Sequence, residues 1–141
     1  MRSLFIGIAA AALLASVSAA AAVVHFSAKL NGAAETPPND SKGTGNATAS
    51  LDTTSKKLSW KVTYSGLSGP ATMAHFHGPA PAGKAAGVAV PLPNPVTSPA
   101  SGSATLTDAQ IGDLQGGLWY VNVHTAAHPD GEIRGQLTKS H

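Results

Sequence analysis

The stretch KLSWKVTYSGL, Lys57–Leu67, decides the fold. Leu58, Trp60, Val62 and Tyr64 alternate with Ser59, Lys61 and Thr63, so one face is apolar and the other polar. That period of two is the pattern of a strand with one side on a core and one in water. Working outward, NATASLD places Ala47, Ala49 and Leu51 on one face before a turn at Asp52–Ser55, and VHFSAKLNG does the same with Val24, Phe26, Ala28 and Leu30. PPNDSKGTG lies between them and reads as a loop from its Pro, Asn, Asp and Gly. Downstream come ATMAHFH, a Pro/Gly-rich passage from Gly78 to Gly102 broken by the apolar GVAVPL, and a short strand SATLT. LWYVNVH and EIRGQLT are the last two strands, joined by TAAHPDG. One segment reads differently. TDAQIGDLQGG pairs Thr107 with Gln110 in capping-box spacing and stops at Gly116-Gly117, which predicts a helix of about two turns. Six to eight short strands with frequent turns predict an all-β, antiparallel Greek-key barrel or sandwich with one short helix.

The N-terminal MRSLFIGIAAAALLASVSAAAA has one basic residue, an apolar run too short to span a bilayer comfortably, and small residues after it. This is the pattern of a secretory signal peptide over 1–22, with cleavage after Ala19 to Ala22. The expectation is a periplasmic or secreted protein, with no membrane attachment after cleavage and a single domain over 23–141. Losing Arg2 leaves 8 basic against 7 acidic residues, a balance that gives no reason to expect nucleic acid or an anionic membrane as partner. Strand edges leave room for a homodimer. The chain has no cysteine, so thiolate ligands and a cysteine nucleophile are excluded. Any metal falls to histidine, carboxylate, methionine or carbonyl oxygen. No G-x-S-x-G and no phosphate-binding glycine loop occurs.

The histidines carry the chemistry. In MAHFH, Met73, His75 and His77 share one face while Ala74 and Phe76 share the other. Phe76 is the natural core residue, which turns both histidines outward. In LWYVNVH, Trp119, Val121 and Val123 form the core face, and Tyr120, Asn122 and His124 the outer one. Two neighbouring strands then present His75, His77 and His124 on one patch roofed by the Pro/Gly loop. Residues two apart on a strand lie roughly 6–7 Å from each other, within reach of a shared ion. His128 lies on the following turn as a fourth candidate ligand, and Met73 is in phase as a weak axial sulfur. Against this stands the plainer reading of exposed strand histidines, which a lone H-x-H would favour. His25 shares a face with Ser27 and Lys29 and reads as solvated. Glu132 and Arg134, in PDGEIRG, read as structural partners of each other or of a neighbour, with a general-base role for Glu132 the lesser alternative. Glu35 reads as a residue that fixes a loop.

Four motifs together resemble the CHRD domain, a module described in chordin and widespread in exported bacterial proteins. They are F-x-A-x-L-x-G-x-x-E-x-P-P from Phe26 to Pro38, L-x-W-x-V-x-Y-x-G-L from Leu58 to Leu67, A-H-F-H-G-P-A from Ala74 to Ala80, and the run from Leu114 to Leu137 containing Y-V-N-V-H-T and G-E-I-R-G-Q-L. The resemblance implies a Greek-key barrel related to Cu/Zn superoxide dismutase, whose H-x-H strand holds copper. It thus suggests copper at His75 and His77, with His124 and His128. The histidines and aspartate for a second, bridged zinc are missing, so the implied site is mononuclear, and dismutase activity does not follow. Copper handling, tolerance or electron transfer is the leading expectation, because imidazoles suit Cu(II) and Irving–Williams order favours it over zinc. The alternatives are a superoxide dismutase-like or zinc hydrolase-like enzyme, and a metal-free extracytoplasmic binding module.

Overall fold

The computed structural model describes residues 9–12 and 22–141; the signal-peptide reading of 1–22 otherwise lies outside the described residues. The strand read from Leu58, Trp60 and Val62 is present as β3 (Lys57–Ser65), and all three side chains are buried. It pairs along its whole length with β2 (Thr44–Asp52), which pairs in turn with β1 (Val23–Asn31). The inward residues of the three are those of the alternation, from Phe26, Ala28 and Leu30 to Ala47, Ala49 and Leu51. After β3 the chain crosses to β4 (Ala71–His77) and β5 (Val88–Pro91), then returns to β6 (Ala100–Thr105) beside β3. Helix α1 (Asp108–Gln115) follows, with the Thr107–Gln110 capping box in place. β7 (Tyr120–Thr125), β8 (Ile133–Gln136) and the short β9 (Thr138–Lys139) complete the chain.

The sheet order is β5-β4-β7-β8-β1-β2-β3-β6, with β9 added to β1. Every pairing is antiparallel. This eight-strand path curls into a nearly closed barrel, as the alternation predicts, and the neighbours β4–β7, β8–β1 and β3–β6 are its crossovers. Among the described residues, β5 and β6 are the two ends of the path and each has one paired edge.

Phe76 sits at the centre of the core. Its ring meets Trp60 edge-on at 5.2 Å and Trp119 at 5.9 Å, geometries that aromatic rings favour. Because Phe76 must point inward, His75 and His77 on either side of it must point outward. Pairing of β4 with β7 sets His75 opposite Asn122, His77 opposite Tyr120 and Met73 opposite His124. The fold thus delivers one histidine-rich face, and the register alone decides which residues meet there.

Candidate metal centre

His75, His77 and His124 come together, with one ligand nitrogen from each within 4.8 Å of the others. Two nitrogens held by one ion at about 2.0–2.1 Å stand no more than about 4.2 Å apart, so closing on an ion asks for less than an ångström of side-chain movement. The outer face is not open to water, as an outward strand face would be. His77, Asn122 and His124 are all buried, and only His75 is half-exposed. The cover comes from two loops. Residues 78–87 bring the Ala86 carbonyl to His77 Nδ1 at 3.0 Å, and the β7–β8 turn brings the Pro129 carbonyl to His124 Nδ1 at 2.7 Å.

Those two carbonyls settle the tautomers. A carbonyl oxygen can only accept, so Nδ1 carries the proton in both rings, and the neutral Nε2 of each is left as a lone pair. Both Nε2 atoms face the same oxygen, Asn122 Oδ1, at 2.9 Å from His77 and 3.1 Å from His124. His124 Nε2 also lies 3.2 Å from His75 Nδ1. The other end of the Asn122 amide turns toward the Glu35 carboxyl and favours its charged form, although burial as the larger effect pushes that carboxyl upward. His75 in its Nδ1–H tautomer can donate to His124 Nε2, whereas His77 Nε2 and Asn122 Oδ1 face each other as two acceptors. A cation bound by the three imidazole nitrogens relieves that opposition. Protons are disfavoured, because burial lowers the pKa of His75, with help from the neighbouring His124 and His77, and burial likewise lowers that of His77. Nitrogen and oxygen donors of this kind fit a borderline divalent ion.

A stack supports His77 from the side. Its ring lies parallel to Tyr120 at 4.7 Å, and the Arg134 guanidinium sits 3.5 Å from the centre of the same tyrosine ring. Tyr120 Oη is tied to both the carbonyl and the N–H of Ala86. The loop that fixes the His77 tautomer is therefore itself fixed by the ring on which His77 rests.

The remaining sequence candidates fall elsewhere. His128 is on the β7–β8 turn with Nε2 4.0 Å from Glu132 Oε1, and the structure does not bring it into the three-histidine group. Met73 is 42% exposed, opposite His124. His25 is exposed and bonds Ser50 Oγ at 2.9 Å. Glu132 and Arg134 do not pair with each other: Glu132 precedes β8 and turns into a pocket of hydroxyls, while Arg134 stacks on Tyr120. Two residues beside the histidines, Asn122 and Glu35, were named in the sequence but not as neighbours of the cluster. Asn122 is in phase with Tyr120 and His124, so its place on the face was legible, but not its contact with two imidazoles. Glu35 lies on a loop, where no periodicity reports direction.

Gly131 makes this assembly possible. Its φ of +125° is one that side-chain-bearing residues avoid, and a Cβ there would stand 2.5 Å from Glu35 Oε1 and 2.7 Å from Asn122 Nδ2. Gly131→Ala is expected to cost about 1–3 kcal/mol of stability and to weaken metal uptake by about tenfold or more through Asn122. Urea unfolding and a chelator-competition titration measure the two effects separately.

An antiparallel barrel with three converging imidazoles on a covered outer face is the class that fold and site define. Residues 26–137 match the family model of the CHRD domain, and the chain belongs to that family. Neither a curated protein nor a solved structure matches it significantly.

Proposed function

We propose that this chain is an exported, mononuclear copper-binding protein that holds its ion with His75, His77 and His124 and serves copper handling, tolerance or electron transfer. The observation that carries the reading is the set of lone pairs at the centre: two imidazoles with tautomers set by backbone carbonyls, a third imidazole beside them, and the Asn122 oxygen between. Copper is favoured over zinc because imidazole donors bind it more tightly in the Irving–Williams order. Since the chain has no thiolate to offer, Cu(II) in this site gives the weak absorption and the electron paramagnetic resonance signature of an ordinary nitrogen-ligated centre. Export rests on the character of residues 1–22.

Elemental analysis of the mature protein from a periplasm, beside the double variant His75→Ala/His77→Ala, tests this. Stoichiometric copper in the first and none in the second is the expected result. Stoichiometric zinc overturns the copper assignment and favours the hydrolase-like alternative. No metal in either, with no change in melting when copper is added, overturns the metal site and leaves a binding module.

A further inference from the structure

Arg134 is not used by the metal centre beyond its contact with Tyr120, and its surroundings are unusual for a buried cation. The side chain is 1% exposed. Among the described residues no carboxylate lies within ion-pair distance of it, although its charge does favour the ionised form of the Glu35 carboxyl. Its hydrogen bonds are all long and all to neutral oxygens: 3.4 Å to Thr36 Oγ1, 3.4 Å to the Pro81 carbonyl and 3.5 Å to Gln136 Oε1. Good N–H···O bonds are some half an ångström shorter, and buried charges are as a rule paired. A guanidinium in this state retains its capacity for a strong, two-pronged acceptor.

It also stands at the floor of a pocket of about 380 Å³, between the loop that follows β1 and the roof loop after β4. Glu35 shares that floor; the Asn122 amide turns toward its carboxyl without closing a full hydrogen bond to Oε1, and Oε2 accepts a 3.4 Å bond from the Thr36 N–H. The rim is apolar and exposed, formed by Ala33, Pro37, Pro38 and Ala82. A concave apolar rim over a few convergent polar groups is the usual form of a small-molecule site, and this volume is at the small end of that range.

We propose that this pocket is a second binding site, for a small carboxylate bearing a hydrogen-bond donor next to its carboxylate group. Arg134 receives the carboxylate, Glu35 accepts from the neighbouring hydroxyl or ammonium, and the proline and alanine rim covers the apolar remainder. The site does not require the histidines to hold a metal, so it stands apart from the copper reading.

The mature chain, as purified and after EDTA treatment, is titrated with 2-hydroxy-4-methylpentanoate and followed by 1H–15N NMR, including the arginine Nε–H resonances. The neutral 2-hydroxy-4-methylpentanamide serves as the control. Saturable shifts at Arg134 Nε–H and at the amides of residues 33–36 and 82–83 are expected in both preparations, with the amide about tenfold weaker or worse. Because Arg134 is buried, its replacement risks the fold. Ala82→Trp, at the exposed rim, is the safer variant and is expected to weaken binding about tenfold while leaving the melting temperature unchanged. Absence of saturable shifts overturns the proposal. So does equal binding of acid and amide, or binding that Ala82→Trp leaves intact.

Discussion

Copper(II) at a thousandfold excess over its dissociation constant is expected to add about 4 kcal/mol to the unfolding free energy of the mature chain, by mass action alone. For a domain of this size that corresponds to a rise in melting temperature on the order of 15 °C. The magnitude depends on the site existing in the folded state and not in the unfolded one. That condition is met because His75 and His77 on one side, and His124 on the other, are joined only by pairing of β4 with β7. His75→Ala/His77→Ala removes two of the three candidate ligands and is expected to show no copper-dependent shift. His77 is buried against Tyr120 and bonded to the Ala86 carbonyl, so its loss lowers the metal-free melting point, and the copper shift is read against each protein's own baseline. Differential scanning calorimetry of both proteins with and without copper gives the result. A shift of equal size in the two would place the copper elsewhere.

Glu132→Gln is expected to lower stability at pH 7 by about 3 kcal/mol, with the difference shrinking in acid. Glu132 is fully buried. Burial alone would push its carboxyl up, but hydrogen bonds from Ser68, Ser41 and Thr125 outweigh it and hold the group down at about 2. The bonds come from Ser41 Oγ at 2.7 Å, Thr125 Oγ1 at 2.8 Å, the Ser68 N–H at 2.9 Å and Ser68 Oγ. They join the loop before β2, the loop after β3 and the end of β7, three segments far apart in sequence. A carboxyl held below its unfolded value of 4.5 contributes stability that is complete above pH 4.5 and lost as pH falls toward 2. Paired urea unfolding at pH 7 and pH 3 should find the gap between parent and variant narrower by about 2 kcal/mol at the lower pH. Comparing the two proteins cancels the titration of Glu35 and Asp52, which both share. A gap that does not change with pH would mean that the glutamine removes packing and not charge.

The strands of the barrel were legible because one-sided burial leaves a period of two, as in Leu58, Trp60 and Val62 or Phe26, Ala28 and Leu30. The same rule placed Phe76 inward and so turned His75 and His77 outward. Alternation failed to report that the outer face of β7 is covered, with every residue from Tyr120 to Thr125 buried. Burial on that side comes from loops, and a loop has no repeating geometry from which to read a direction. For the same reason His128 could not be placed, nor could Glu132, whose partners Ser41 and Ser68 lie on other loops. The centre was thus half visible. Its histidines follow from strand phase, whereas the groups that orient them depend on how distant turns return.

The contacts from the covering loops to His77 and His124, at Nδ1 of each ring, come from the main chain of Ala86 and Pro129, not from side chains. A carbonyl oxygen is the same whatever residue bears it. Relatives of this protein can therefore rewrite residues 81–87, altering the charge and shape of the surface over the centre, while the imidazoles beneath keep their orientation. Outer surface and inner histidine cluster are free to diverge at different rates, so one barrel can acquire new neighbours without disturbing the imidazoles beneath.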